Sequence, residues 1–150
     1  MIQRELVVPV PPERLWEALT DPDAVETWFG SRVRWDLVPG GQAAFTEDDG
    51  GRRLGRVEEV ATNLRLRYRW WPEDDEGSSS QVTYTLHPED DGTRLTVTEE
   101  RMSASASTAS SAISASWTAW DARLLGVWAA VAAEVWAGAG ARVAVDVAGA

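Results

Sequence analysis

The sequence predicts an α+β fold in which a curved antiparallel sheet of about seven strands wraps around one long C-terminal helix, with two short helices after the first strand. Three observations predict it. Seven runs alternate apolar and polar residues with a period of two, and most of the turns between them are short and rich in Asp, Gly and Pro. After residue 116, large apolar residues recur at steps of three and four. A helix with one apolar stripe must bury it, and the concave side of a twisted sheet is the large apolar surface available.

The clearest strand is the segment 64–70, in which arginines alternate with Leu64, Leu66, Tyr68 and Trp70. This pattern indicates a half-buried strand with its arginines on the wet face, and it argues against a basic binding strip. Alternation predicts further strands at 2–8, 32–38, 42–47, 53–60, 82–87 and 95–98. The last six of the seven strands follow one another directly, so they form an antiparallel meander.

The turn in the stretch DLVPGGQAAF, residues 36–45, could also be a loop that cradles phosphate. Phosphate loops of the Walker type need a lysine and lead into a helix. The chain contains no lysine, and another predicted strand follows Gly41. We therefore interpret Pro39, Gly40 and Gly41 as a hairpin turn, with both glycines in left-handed conformations.

Helical patterns flank the meander. The segment 11–20 begins with prolines and places Leu15 and Leu19 on one side, and a second short helix runs to about Phe29. The long helix begins near Ser116, with Asp121, Arg123 and Glu134 expected away from its apolar stripe. The residues predicted to face inward are Trp117, Trp120, Leu124, Trp128, Val131 and Val135.

Composition excludes several functional classes. The 150 residues suit one domain, predicted over 1–137, with a mobile Ser/Ala-rich loop at 103–116 and a C-terminal tail at 138–150. The chain has no cysteine and a net charge of −10, which argues against thiolate sites and nucleic acid partners. The lone His87 gives no basis for a metal site or a triad, and we predict no cofactor. Without a signal segment or a membrane span, the chain is expected to be cytoplasmic.

Six segments taken in order resemble a known family. They are PPERLWEALT at 11–20, WF at 28–29, DLVPGG at 36–41, GRVEEV at 55–60, GTRLTVT at 92–98 and Trp117. The chain resembles the helix-grip fold of the START-like or SRPBCC superfamily, and within it the C-terminal domain of the activator of heat-shock-protein-90 ATPase. The resemblance implies a hollow between the long helix and the sheet that can hold a hydrophobic or amphipathic small molecule.

Aromatic residues and one carboxylate are the candidate ligand-binding groups in that hollow. The predicted set is Trp35, Phe45, Tyr68, Trp70, Tyr84, Glu99, Trp117, Trp120 and Trp128. The rings could instead fill a closed core, and Glu99 could reach water at the end of its strand. Whether Arg56 and Glu58 face inward or outward is also left open.

Three functions follow as hypotheses. The first, which the sequence favours over an enzyme, is a protein that binds a hydrophobic small molecule. The second is a cyclase or hydratase in which Glu99 acts with Tyr68 or Tyr84 as an acid-base pair. The third is a protein-interaction domain with a filled core. Binding to a protein partner or formation of a homodimer is left open.

Overall fold

The computed structural model describes residues 1–47, 50–102 and 119–131. One sheet and three helices make up most of this part of the chain. In chain order the elements are β1 (Ile2–Val8), α1 (Pro12–Thr20), α2 (Pro22–Phe29), β2 (Ser31–Trp35), β3 (Gln42–Glu47), β4 (Arg52–Ala61), β5 (Arg65–Pro72), a short 3-10 turn (Glu76–Ser78), β6 (Ser80–Glu89), β7 (Gly92–Arg101) and the helix α3 (119–131).

The sheet has seven strands in the order β1-β7-β6-β5-β4-β3-β2, and every neighbouring pair is antiparallel. Strands β2 to β7 therefore form the predicted meander, and β1 closes the far edge beside β7. The helix α3 packs onto one face of this sheet, where Trp120, Leu124, Val127 and Val131 are buried. The predicted helix-grip fold is confirmed.

The stretch at 36–41 is a turn, as predicted, although its two glycines serve different purposes. Gly40 has a φ of 86°, the left-handed region that favours glycine. The left-handed conformation predicted for Gly41 is wrong, because its φ is not positive; glycine is required there because a Cβ would lie 2.0 Å from the carbonyl oxygen of Asp36. Val57 bonds to both glycines through its backbone, at 2.7 and 2.8 Å, next to a bulge in β4. The turn is thus anchored on the sheet and does not form an anion cradle.

The two faces of β5 carry different residue types. On β5, Leu66, Tyr68 and Trp70 are buried on the inner face, while the arginines between them face outward. Leu64 is 56% exposed because it precedes the first residue of the strand. Arg56 and Glu58 lie on the outer face of β4, since Gly55 and Val57 are the buried positions there.

The prediction for Trp128 is wrong, because this side chain lies on the outer side of α3 and is 42% exposed. The buried positions of α3 follow the spacing 120, 124, 127 and 131, so the helix steps by three after Leu124 where the prediction stepped by four. A step of four residues rotates the side chain by about 40° beyond a full turn of the helix. Two such steps, from Trp120 to Leu124 and on to Trp128, move the side chain out of the interface. Val127 therefore occupies the inner position.

Glycine lets α3 approach the second short helix closely. A Cβ at Gly126 would lie 3.0 Å from the carbonyl oxygen of Trp28 and 3.2 Å from its Cα. The two helices can therefore pack backbone to backbone at this point. The predicted loop at 103–116, Trp117 and the tail at 138–150 lie outside the described residues.

Candidate functional site

The most unusual group in the interior is the carboxylate of Glu99, which is only 5% exposed. It follows Leu95 and Val97 on the inner face of β7, so the alternation of the strand places it inside and the alternative of a water-exposed Glu99 is wrong. The indole of Trp70 on β5 donates to Oε2 at 2.8 Å, and the indole of Trp120 on α3 donates to Oε1 at 3.1 Å. Glu99 therefore connects the sheet to the helix laid across it.

Because an indole N–H can only donate, both oxygens of Glu99 act as acceptors in this arrangement. Each bond supplies part of the interaction that a buried carboxylate loses when it leaves water. The remaining lone pairs of the two oxygens could accept further hydrogen bonds. Chemically, the group can hold a donor of a bound molecule or exchange a proton with it.

The two tyrosines form a second polar pair in the same interior. The hydroxyl oxygens of Tyr68 and Tyr84 lie 2.8 Å apart and share a hydrogen bond in which either can be the donor. Burial raises the pKa of both hydroxyls well above the usual value near 10, because the phenolate would be poorly solvated there. Both therefore remain neutral at physiological pH, and they bond to each other while Glu99 bonds to the two indoles.

Aromatic rings enclose these polar groups. The ring of Phe45 lies 5.2 Å from Trp70 and 5.6 Å from Tyr68, and Tyr84 lies 6.0 Å from Trp120. Most of these pairs meet edge to face, which is the favoured geometry for aromatic side chains. The rings are in mutual contact, so a ligand at the level of Glu99 has to separate side chains or lift α3 from the sheet.

Trp35 lies at the rim of this aromatic cluster, which we define as Phe29, Phe45, Tyr68, Trp70, Tyr84 and Trp120. It is half-buried, its indole donates to the carbonyl oxygen of Thr20 at 3.0 Å, and its ring contacts Phe45 and Tyr68. The hydrogen bond attaches the end of β2 to the end of α1. Trp35 therefore borders the site and also holds the two elements together.

Two arginines complete the site, and the sequence interpretation missed both. The guanidinium carbon of Arg123 on α3 lies 4.1 Å from the centre of the Phe29 ring and 4.9 Å from that of Trp120. Arg53 on β4 lies 4.3 Å above the ring of Trp70. Desolvation lowers the pKa of Arg123, and the positive charge of Arg53 lowers it further.

The prediction that Arg123 lies away from the inward stripe is therefore wrong. The sequence signal for it was its position three residues after Trp120, which places it on the flank of the buried side of α3. For Arg53, the signal was the alternation of β4, which places it on the same inner face as Gly55 two residues later. Phe29 was also missed as a site residue, because the end of α2 reaches the interior only in the folded chain.

The structure thus brings together most of the predicted set. Phe45, Tyr68, Trp70, Tyr84, Glu99 and Trp120 meet in one cluster, Trp35 borders it and Trp128 lies outside it. Trp117 is outside the described residues. Within the described segments, no three His, Cys, Asp or Glu side chains converge as metal ligands, and no helix is long and apolar enough to cross a membrane.

Comparison with protein families gives one match that covers most of the chain. The family described as "Activator of Hsp90 ATPase homolog 1-like protein" matches residues 9–137. No curated protein sequence matches the chain.

Solved structures give close matches in fold. DynU16, a protein of the dynemicin biosynthetic locus, is 29% identical with a TM-score of 0.69; the match covers 82% of this chain but 45% of DynU16. Protein MLL2253 from Mesorhizobium loti is 27% identical with a TM-score of 0.70, over 84% of this chain and 94% of the other. Protein NE0264 from Nitrosomonas europaea is 19% identical with a TM-score of 0.72, over 89% and 94%, which shows the shared fold alone.

Proposed function

The chain belongs to the family of activator of Hsp90 ATPase homolog 1-like proteins, and we propose that it binds a hydrophobic or amphipathic small molecule between α3 and the sheet. The single observation that carries this proposal is the pair of indole N–H bonds that hold the enclosed carboxylate of Glu99. An apolar core with aliphatic side chains at these positions would avoid the desolvation cost of a buried charge. A polar group retained among aromatic rings is typical of a site that orients a ligand.

The aromatic cluster supplies the apolar part of such a site. Planar rings that meet edge to face present flat surfaces on which another aromatic or flat hydrophobic molecule can pack. Glu99 would accept a hydrogen bond from the polar end of the ligand, and the Tyr68 and Tyr84 hydroxyls offer a second polar contact. DynU16, which shares the fold, comes from a biosynthetic locus, and this context favours a small-molecule ligand here as well.

Calorimetric titration with neutral hydrophobic probes, a flavonoid such as naringenin and a polycyclic alcohol such as 2-naphthalenemethanol, tests the proposal. We expect saturable binding of one molecule per chain, weakened about tenfold by Glu99→Gln if one charge-assisted hydrogen bond is lost. Trp128→Phe serves as the control, because this ring lies on the outer side of α3 and should leave binding unchanged.

A flat response to every probe would contradict the proposal and would mean that the rings only fill the core. The protein-interaction alternative would then be favoured. For that function, Leu125 and Trp128 on the outer side of α3 are the first candidates, since they are 70% and 42% exposed.

An acid-base enzyme is the second candidate function, and the position of Glu99 is the observation that favours it. Enclosed carboxylates among apolar side chains are common general acids and bases. Because each oxygen already accepts an indole N–H, a substrate proton would have to approach a free lone pair of Glu99. Turnover of a bound ligand by the wild type, abolished in Glu99→Gln while binding persists, would identify this function.

A further inference from the structure

Two arginines, Arg53 and Arg123, lie at one end of the inner face, where Glu99 attracts Arg123 without forming an ion pair with it. Among the described residues, no carboxylate oxygen forms an ion pair with Arg53 or Arg123. Arg123 makes a long hydrogen bond, 3.4 Å, from its Nε to the carbonyl oxygen of Phe29. Both side chains are half-buried, so they have lost part of their hydration without gaining an ionic partner in this part of the chain.

A shared ring brings these two cations to one place. The guanidinium carbons of Arg53 and Arg123 lie 4.3 and 5.4 Å from the centre of the Trp70 ring. Cation-π contact with an indole stabilises a guanidinium and also leaves its N–H groups able to donate. Desolvation is the main cause of the lowered pKa of Arg123, and repulsion from Arg53 makes a smaller contribution in the same direction. An anion that binds between them would relieve this repulsion.

A third arginine lies in the same part of the sheet. Backbone pairing aligns Trp70 with Ser80 and Ser80 with Arg101, so these three residues form one row across β5, β6 and β7. Arg101 is two residues beyond Glu99, on the same face of β7. Its Nε and Nη2 atoms are enclosed and have no hydrogen-bond partner within the described segments. An unpartnered Nε also occurs on three arginines of the outer face, Arg67, Arg69 and Arg94. The additional unpartnered Nη2 therefore distinguishes Arg101 and leaves it able to donate to an acceptor.

We propose that the ligand carries an anionic oxygen group, such as a carboxylate or a phosphate, which binds to Arg53 and Arg123 while its apolar body packs on the aromatic cluster. This inference rests on the proposed function and specifies the chemical class of its ligand. Guanidinium groups bind oxyanions through paired N–H bonds, which gives direction as well as affinity. Arg101 supplies additional positive charge at the same end of the site.

The position of Glu99 is consistent with an amphipathic ligand of this kind. Its carboxylate lies further inside, bonded to Trp70 and Trp120, and it attracts Arg123 electrostatically. A bound anion would be repelled by Glu99 and would stay at the arginines. The apolar body would therefore point inward with its acidic group at the end of the sheet, and the charges would fix one orientation of the ligand.

The test compares three probes that share one ring system: 2-naphthoate, 2-naphthyl phosphate and the neutral 2-naphthamide. Calorimetry measures their binding to the wild type, to Arg53→Gln, to Arg123→Gln and to Arg65→Gln. Arg65 is the matched control because it lies on the outer face of β5, beside Glu59. Thermal unfolding of each variant, followed by circular dichroism, checks that it is folded, and Arg123→Met, which also removes the charge, replaces Arg123→Gln if the latter is not.

We expect at least one acidic probe to bind about tenfold or more tightly than the amide, the difference expected for a charge-assisted hydrogen bond. Arg53→Gln and Arg123→Gln should remove this preference for the acidic probes over the amide, whereas Arg65→Gln should retain it. The ratio between naphthoate and naphthyl phosphate then identifies the kind of anion.

Equal binding of acid and amide to the wild type would overturn the inference and leave the proposed function standing. An acid preference that both inner variants retain would overturn it as well. Failure of all three probes to bind would overturn the proposed function and this inference together.

Discussion

The two faces of the sheet use arginine in different ways. On the outer face of β5, Arg65 and Arg67 each lie 3.5 Å from an oxygen of Glu59, and Arg69 lies 3.8 Å from Glu58. Facing the interior, Arg53 and Arg123 lie on aromatic rings with no ionic partner in the described part of the chain. The outer arginines form a solvated network of paired charges. The inner arginines carry charge into a site where a bound anion would balance it.

The same contrast holds for tryptophan. Trp120 is completely buried on the inner side of α3, and Trp128, two turns later, is 42% exposed on the outer side. Within one helix, the buried tryptophan therefore stabilises the fold, whereas the exposed tryptophan forms part of the surface. Variants at both kinds of position test this contrast.

Replacement of the buried tryptophan should have the largest effect. We expect Trp120→Ala to lower the free energy of unfolding by about 3 to 5 kcal/mol, because it leaves a large cavity and removes a donor to Glu99. Trp128→Ala should lower it by less than about 1 kcal/mol. Urea unfolding of both variants measures the difference, and similar losses would mean that the inner and outer sides of α3 are wrongly assigned.

Removal of the buried carboxylate should have the next largest effect. Glu99→Ala leaves the indole N–H groups of Trp70 and Trp120 without an acceptor, at a cost of about 1 to 3 kcal/mol for each buried unsatisfied group. Glu99→Gln keeps one carbonyl acceptor and should be less destabilising. If urea unfolding showed Glu99→Ala to be as stable as the wild type, the two indole bonds would have no structural importance.

The tyrosine pair should make stability depend on alkaline pH. Both folded pKa values are raised above the unfolded value near 10, so the contribution is fully present below about pH 10 and is lost as pH rises through the folded values. Tyr68 and Tyr84 are the two tyrosines of the chain, so the near-ultraviolet absorbance of tyrosinate reports on this pair alone. We expect no tyrosinate signal before unfolding begins, whereas the urea-unfolded chain should titrate near pH 10.

Tyr84→Phe provides a second measurement on the same pair. It removes one side of the 2.8 Å hydroxyl contact and should cost about 1 kcal/mol at neutral pH. In this variant the remaining tyrosine should still resist ionisation, because burial is the main cause of its raised pKa. Titration of Tyr68 near its ordinary value in the folded variant would show instead that the hydrogen-bonded partner dominates.

Changes on the outer face should have the smallest effect. Arg69→Ala removes a partly exposed pair with Glu58 and should alter the free energy of unfolding by less than about 1 kcal/mol. The loss should decrease further at high salt, because exposed charges are screened. A loss comparable to that of Glu99→Ala would show that the outer network, and not the interior, determines stability.

The order of strands β2 to β7 and the inward side of most strands could be predicted from the sequence. Alternation with a period of two is a local property, so it assigns Tyr68 and Trp70 to the inner face of β5, whereas the side of Arg56 and Glu58 and the exposure of Glu99 were left open. The antiparallel meander followed because short turns leave adjacent strands no other way to pair. The family resemblance added the helix across the sheet, and the fold agrees with it.

Which of these inward groups bond to one another depends on the tertiary structure. Glu99 is 29 residues from Trp70 and 21 from Trp120, and no local pattern relates them. The phase of α3 was also undetermined, because apolar residues at both 127 and 128 fit steps of three and four. Gly126, packed against Trp28, and the sheet beneath the helix select the rotation that buries Val127 and exposes Trp128. That same rotation places Arg123 over the rings, where it can bind the anionic group that we propose for the ligand.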